Sequence, residues 1–97
     1  MAKKIIWTKP AQQSRVRILN FWIENNKSNS YSIKLQKLFK EHLKLLLKYP
    51  EIGIVSDFEN IRILLVRDYN IYYTIEDHDI LILAIRDARQ NPKDFKL

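Results

Sequence analysis

The sequence predicts an α+β domain: a sheet with a helical hairpin packed on one face. Three observations carry this. Residues 9–25 and 30–49 have apolar spacing of helical period. From residue 61 onward the period drops to two. Between the two helical stretches lies only the polar run NNKSNS, residues 25–30. Two amphipathic helices joined by so short a loop form an αα-hairpin, and the strands that follow are joined by tight turns.

Taken in order, KKIIW (residues 3–7) is short, β-branched and aromatic, and reads as a first strand. Thr8 stands at a helix N-cap, with Pro10 in the first turn. Ala11, Val16, Ile18, Leu19, Trp22 and Ile23 then form an apolar stripe, leaving Arg15, Arg17 and Glu24 for water. Asn29 or Ser30 caps the second helix, and Pro50 stops it. On that helix Leu35, Leu38, Phe39, His42, Leu43, Leu45, Leu46 and Tyr49 fall within an arc of about 160°. Lys34, Lys37, Lys40, Lys44 and Lys48 occupy roughly 80° on the other side.

Past Gly53, Ile61, Ile63 and Leu65 share one strand face, and Arg62, Leu64 and Val66 the other. Asp68-Tyr69-Asn70 makes a reversal. Ile71, Tyr73 and Ile75 then alternate with Tyr72, Thr74 and Glu76. Asp77-His78-Asp79 is a second turn. Ile80 to Ile85 is apolar on both faces, which predicts a strand inside the sheet. The expected order is β-α-α-β-β-β, in one domain spanning residues 1–97.

Composition narrows the classes of function. The 97 residues contain no cysteine, which removes disulfides, thiol nucleophiles and thiolate metal sites. No two His, Asp or Glu residues share metal-ligand spacing on one helix face, so no metal and no cofactor are expected. No apolar run approaches the ~18 residues of a membrane helix, and the N-terminal apolar run is too short for a signal peptide. A cytoplasmic protein without a membrane partner is expected. Lys and Arg number 17 against 11 Asp and Glu, a net charge of +6 that favours an anionic partner.

The ordered set of Trp7, Trp22, KYPEIG (residues 48–53), IRILLVRDYNIYYTI (61–75) and DILILAIRDARQNP (79–92) resembles the RelE/ParE superfamily of toxins from type II toxin–antitoxin systems. The terminal DARQNP is most similar to the ParE-like branch. The resemblance implies a β-α-α-β-β-β fold with a mainly antiparallel sheet, and a cognate antitoxin as partner in a hetero-oligomer. It also implies one of two activities. The ParE-like branch inhibits DNA gyrase by binding. The RelE-like branch is a ribosome-dependent mRNA endonuclease. A third reading is an inactive relative that only binds.

The residues weigh these unequally. A nuclease needs a base, an acid and cations around the phosphate. Arg62 and Arg89 match basic positions of the nuclease branch and are its catalytic candidates here. The arginine expected after Tyr69 is replaced by Asn70, and the C-terminal tyrosine position falls near Phe95, which lacks a hydroxyl. The gyrase-binding reading therefore leads. Arg86, Arg67, Lys37, Lys44, Lys48 and Tyr69 are the candidates for contacting a target or nucleic acid, the lysines by charge and Tyr69 by stacking. Tyr72 and Tyr73 carry the same stacking option beside cross-strand packing. His78 reads as a solvated turn residue and His42 as a border residue of the core. Asp87 is expected to pair with Arg86, Arg89 or Arg62 and fasten the tail to the sheet.

Overall fold

The computed structural model describes residues 4–26 and 29–89. The elements are β1 (Ile5–Trp7), α1 (Lys9–Asn26), α2 (Ser30–Lys48), β2 (Ile54–Val55), β3 (Arg62–Val66), β4 (Tyr69–Glu76) and β5 (Asp79–Asp87). The sheet order is β1-β5-β4-β3-β2. β1 runs parallel to β5, and every other pairing is antiparallel. The expected architecture is present, with one addition: β2, a two-residue strand at the sheet's far edge. It is too short to show a period, and Gly53 and Ser56 flank it.

The first helix starts where its cap was expected. The Thr8 hydroxyl donates to Ile82 O at 2.6 Å and accepts a longer bond from the Ala11 N–H at 3.4 Å. One side chain thus ties the helix start to the last strand, 74 residues away. At α2 the cap position is Asn29, which makes no side-chain capping bond.

The core lies between the helices and one face of the sheet. Leu35, Phe39 and Leu46 from α2 meet Tyr69, Ile71 and Tyr73 from β4 and Ile80, Ile82 and Ile85 from β5. Each such buried side chain contributes about 1.5–3 kcal/mol. Strand alternation decides which residues enter: Tyr69, Ile71 and Tyr73 are buried, while Asn70, Tyr72 and Thr74 point to the other face. A register shift between Tyr72 and Tyr73 keeps both ends of β5 in phase with the core.

The helical stripes are narrower than expected. Val16 and Ile23 on α1, Leu45 on α2 and Tyr49 just past its end are exposed. Arg15, expected in water, is half-buried, with its guanidinium 4.6 Å from the centre of the Trp7 ring. The turns are tighter than expected, with two residues each. Asp77 and His78 both have positive φ (50° and 70°), the type I′ pattern that follows strand twist. Arg67 also has positive φ, 58°.

The only glycine of the chain sits where it must. A Cβ on Gly53 would lie 2.6 Å from the Tyr73 hydroxyl oxygen and 2.9 Å from Ile63 O. That closeness lets the Gly53 N–H donate to the buried Tyr73 hydroxyl at 2.9 Å, while the hydroxyl donates to Pro50 O at 2.7 Å.

Candidate functional site: an arginine-lined groove at the end of the last strand

The groove forms where α1 crosses the C-terminal end of β5. Pro10, Ile18, Phe21 and Tyr69 supply its apolar surface, and Arg17, Arg86 and Arg89 its cations. Its volume is about 540 Å³. Phe21 is half exposed, so part of an aromatic ring faces the groove.

The tail leaving β5 is held in place. Asp87 accepts three bonds from Arg89: from the backbone N–H at 2.8 Å, Nε at 3.0 Å and Nη2 at 2.7 Å. The Ala88 N–H donates to Asp68 O at 2.7 Å, fixing the same segment to the β3–β4 turn. The side-chain bonds from Arg89 hold the Asp87 carboxyl below its usual range, against a desolvation effect that opposes them. Asp87 raises the Arg89 pKa, so Arg89 is permanently charged. The Arg89 side chain nonetheless stays 65% exposed. An exposed ion pair of this kind adds little stability, but it orients a cation at the rim. Of the three partners expected for Asp87, Arg89 is the one it takes.

Tyr69 lies beside Asp87 in the sheet register, but its ring is not available for stacking. It is 5% exposed and meets Phe39 edge-on at 5.9 Å between ring centres. Its hydroxyl accepts the Trp22 indole N–H at 2.8 Å. Burial pushes the phenol pKa up, with the Trp22 bond opposing. The expectation that Tyr69 offers a ring face to a base is corrected: only its edge reaches the groove. Tyr73 is likewise fully buried, and burial raises its pKa too.

Arg62 is elsewhere. Its Nη1 donates to Gly53 O at 2.9 Å and Glu51 O at 3.3 Å, strapping the segment after α2 to the sheet. In register it pairs with Tyr73 and thus lies level with Ile82 on β5. Along β4, from Tyr73 to Tyr69 beside Asp87, is four strand rises, about 13 Å. Arg62 therefore stands level with the middle of β5, whereas Arg89 follows its C-terminal end.

The lysines also disperse. Lys48 borders a separate cleft with Tyr49, Ile75 and His78, and Lys44 lines a groove beside β1. Lys37 is exposed on α2. Arg67, in the turn next to Asp68, lies at the same end of the sheet as Arg89. His42 bonds Leu38 O at 2.8 Å within its own helix, a structural role. Phe95 lies outside the described residues. Among the described residues no group of His, Cys, Asp or Glu could hold a metal ion, and no helix is long and apolar enough to cross a membrane.

A family model for the ParE toxin of type II toxin-antitoxin systems, parDE, matches residues 5–92. The chain belongs to the ParE toxin family. No curated protein matches it. Among solved structures, this ParE-family chain is similar to one titled as the chromosomal ParDE TA system from P. aeruginosa, with a TM-score of 0.78 and 18% identity. The likeness covers 92% of this chain and 98% of that one. At that identity it establishes a shared fold. Within that fold, Arg17 is the cation that sequence reading missed. Its helical position marked it for solvent, and only the packing of α1 across β5 carries it to the C-terminal rim.

Proposed function

We propose that this ParE-family toxin arrests growth by binding DNA gyrase through the rim formed by Arg17, Arg86 and Arg89, and that a cognate antitoxin neutralises it as a hetero-oligomer in the cytoplasm. The observation that carries this reading is the separation of the two arginines that a nuclease would need together. Arg62 is engaged with two backbone carbonyls and stands about 13 Å along the strands from Asp87. A phosphate held by Arg89 has no second catalytic partner in Arg62, and Asn70 supplies no charge. A rim of cations around an aromatic edge suits binding to an acidic protein surface.

The test is to induce the chain alone in bacteria, map mRNA 5′ ends within minutes, and assay gyrase supercoiling with the purified protein. Growth arrest with inhibited supercoiling and no new RNA ends is the expected result. Substituting Arg89→Glu should relieve the inhibition while the unfolding midpoint stays near that of the parent. New RNA ends phased within codons would make the chain a nuclease and overturn the reading. Absence of any arrest would make it a binding-only relative.

A further inference from the structure

We propose that the β2 edge is a docking surface for a basic, apolar segment of a protein partner, separate from the arginine rim and opposite to it in charge.

The sequence sets the charge. Residues 51–60, EIGIVSDFEN, hold three of the chain's 11 carboxylates, Glu51, Asp57 and Glu59, and none of its 17 Lys and Arg. All three of these acids are exposed. Arg62, the cation opposite Val55 in the register, turns its guanidinium onto the Glu51 and Gly53 carbonyls. On a chain of net charge +6 this segment has the other sign, and it favours a cationic partner.

The apolar residues between those acids face outward. Ile54 and Val55 are 69% and 73% exposed, and Ile52 and Phe58 are exposed as well. β2 is an outermost strand, bonded only to β3. The Ser56 N–H donates to Ile61 O. By alternation Ile54 also aims its backbone at β3, and Val55 aims its N–H and C=O outward. One donor and one acceptor thus stand beside the apolar side chains.

The exposed segment is firmly held. The Tyr73 hydroxyl bonds Pro50 O and the Gly53 N–H at its start. The Ser56 hydroxyl accepts from the Phe58 N–H at 3.0 Å and donates to Ile61 O at 2.7 Å. The Thr74 hydroxyl donates to Asn60 O at 2.7 Å at its end. A surface fixed beforehand loses little conformational freedom on binding. Apolar side chains displayed on such a frame, rather than folded into the core, mark an interaction surface. A second copy of β2 is a poor occupant, because pairing two such edges sets carboxylates against carboxylates. The fitting segment carries apolar residues two positions apart with Lys or Arg beside them. β2 lies three strands from β5, about 14 Å across the sheet, so this surface and the arginine rim can be occupied at once.

The test uses the full-length protein, labelled for NMR, and synthetic peptides within the usual length of a strand. The first is Arg-Thr-Ile-Thr-Ile-Thr-Arg. The second has glutamate for both arginines. The third has threonine for both isoleucines. The expected result is saturable shifts at Ile54, Val55 and Phe58 with the first peptide alone. The double variants Asp57→Lys/Glu59→Lys and Ile54→Thr/Val55→Thr, all at exposed positions, should each weaken that binding by about tenfold or more while the melting temperature stays near that of the parent. Equal binding of the glutamate peptide would remove the charge argument and overturn the proposal. Equal binding of the threonine peptide would reduce the contact to charge alone and overturn it too. So would shifts confined to other parts of the chain, or shifts at Ile54 and Val55 that grow with protein concentration without peptide, which would make a second copy the occupant. Growth and supercoiling assays play no part here, so failure of the gyrase reading is recognised separately.

Discussion

The Trp22 indole N–H and the Tyr69 hydroxyl meet at 2.8 Å across the join between α1 and β4. Both groups would otherwise lack a partner in a largely apolar setting, where an unmet donor or acceptor costs about 1–3 kcal/mol. Trp22→Phe should therefore destabilise the fold by about 1–3 kcal/mol through loss of the donor and of ring contact with Tyr31. Tyr69→Phe should destabilise by a similar amount, since it leaves the indole N–H without its acceptor. A double-mutant cycle in urea should return a coupling of about 0.5–3 kcal/mol. A coupling near zero would remove the bond from any role in stability.

The alkaline limb of stability should depend on the two buried phenols. Burial raises the folded-state pKa of both Tyr69 and Tyr73 above the ordinary value of 10.0. A raised folded pKa means that their contribution is complete below that value and is lost as pH climbs through it towards the folded values. Unfolding midpoints measured from neutral pH to strongly alkaline should fall, and the fall should be shallower in Tyr69→Phe and Tyr73→Phe.

Asp87 works in the opposite direction. Its pKa is lowered, chiefly by the Arg89 side chain. Its contribution is present above the unfolded value of 3.8 and lost as pH drops through the lower folded value. Asp87→Asn should flatten that acid slope. It should also release the Arg89 guanidinium, so the gyrase inhibition proposed above, measured at neutral pH, should change more than the melting temperature does.

Gly53→Ala should destabilise by about 1–3 kcal/mol, because the new methyl group meets the Tyr73 ring and a backbone carbonyl. Tyr73→Phe alone loses bonds to Pro50 O and the Gly53 N–H. The pair should be less than additive in denaturant titration, since both act on one contact.

Arg62→Ala should behave as a stability variant. Its guanidinium serves two carbonyls, and a charged bond of this type is worth about 1.5–3 kcal/mol. Arg62→Ala should lower the unfolding midpoint, and the proposed gyrase inhibition, measured per folded molecule, should remain. Loss of inhibition in a fully folded Arg62→Ala protein would restore it as a functional residue.

Much of the fold was legible because its signals are local. The meander announced itself through alternation in residues 61–76, and the inner position of β5 through its two apolar faces. β2 was not legible: two residues carry no period, and a neighbouring strand defines it. The site was legible in part. IRDAR marked the rim, but the choice of Arg89 over Arg86 and Arg62 as the partner of Asp87 is made by the fold. Arg17 and the burial of Tyr69 were not, because α1, β4 and β5 create both by crossing. Charge on a helix face says that it meets water; it does not say what else meets it there.

The pairing of β1 with β5 has a consequence for how the molecule comes into being. Its first strand has no place in the sheet until its last strand exists, and the Thr8 hydroxyl waits for a carbonyl 74 residues downstream. Contacts so distant in sequence form late and slowly. During synthesis the αα-hairpin and the β3–β4 turn can form early, but the arginine rim cannot, because Arg86 and Arg89 arrive with the strand that closes the sheet. The rim is therefore assembled only once β5 has been made, and β1 gains its place in the sheet at the same moment.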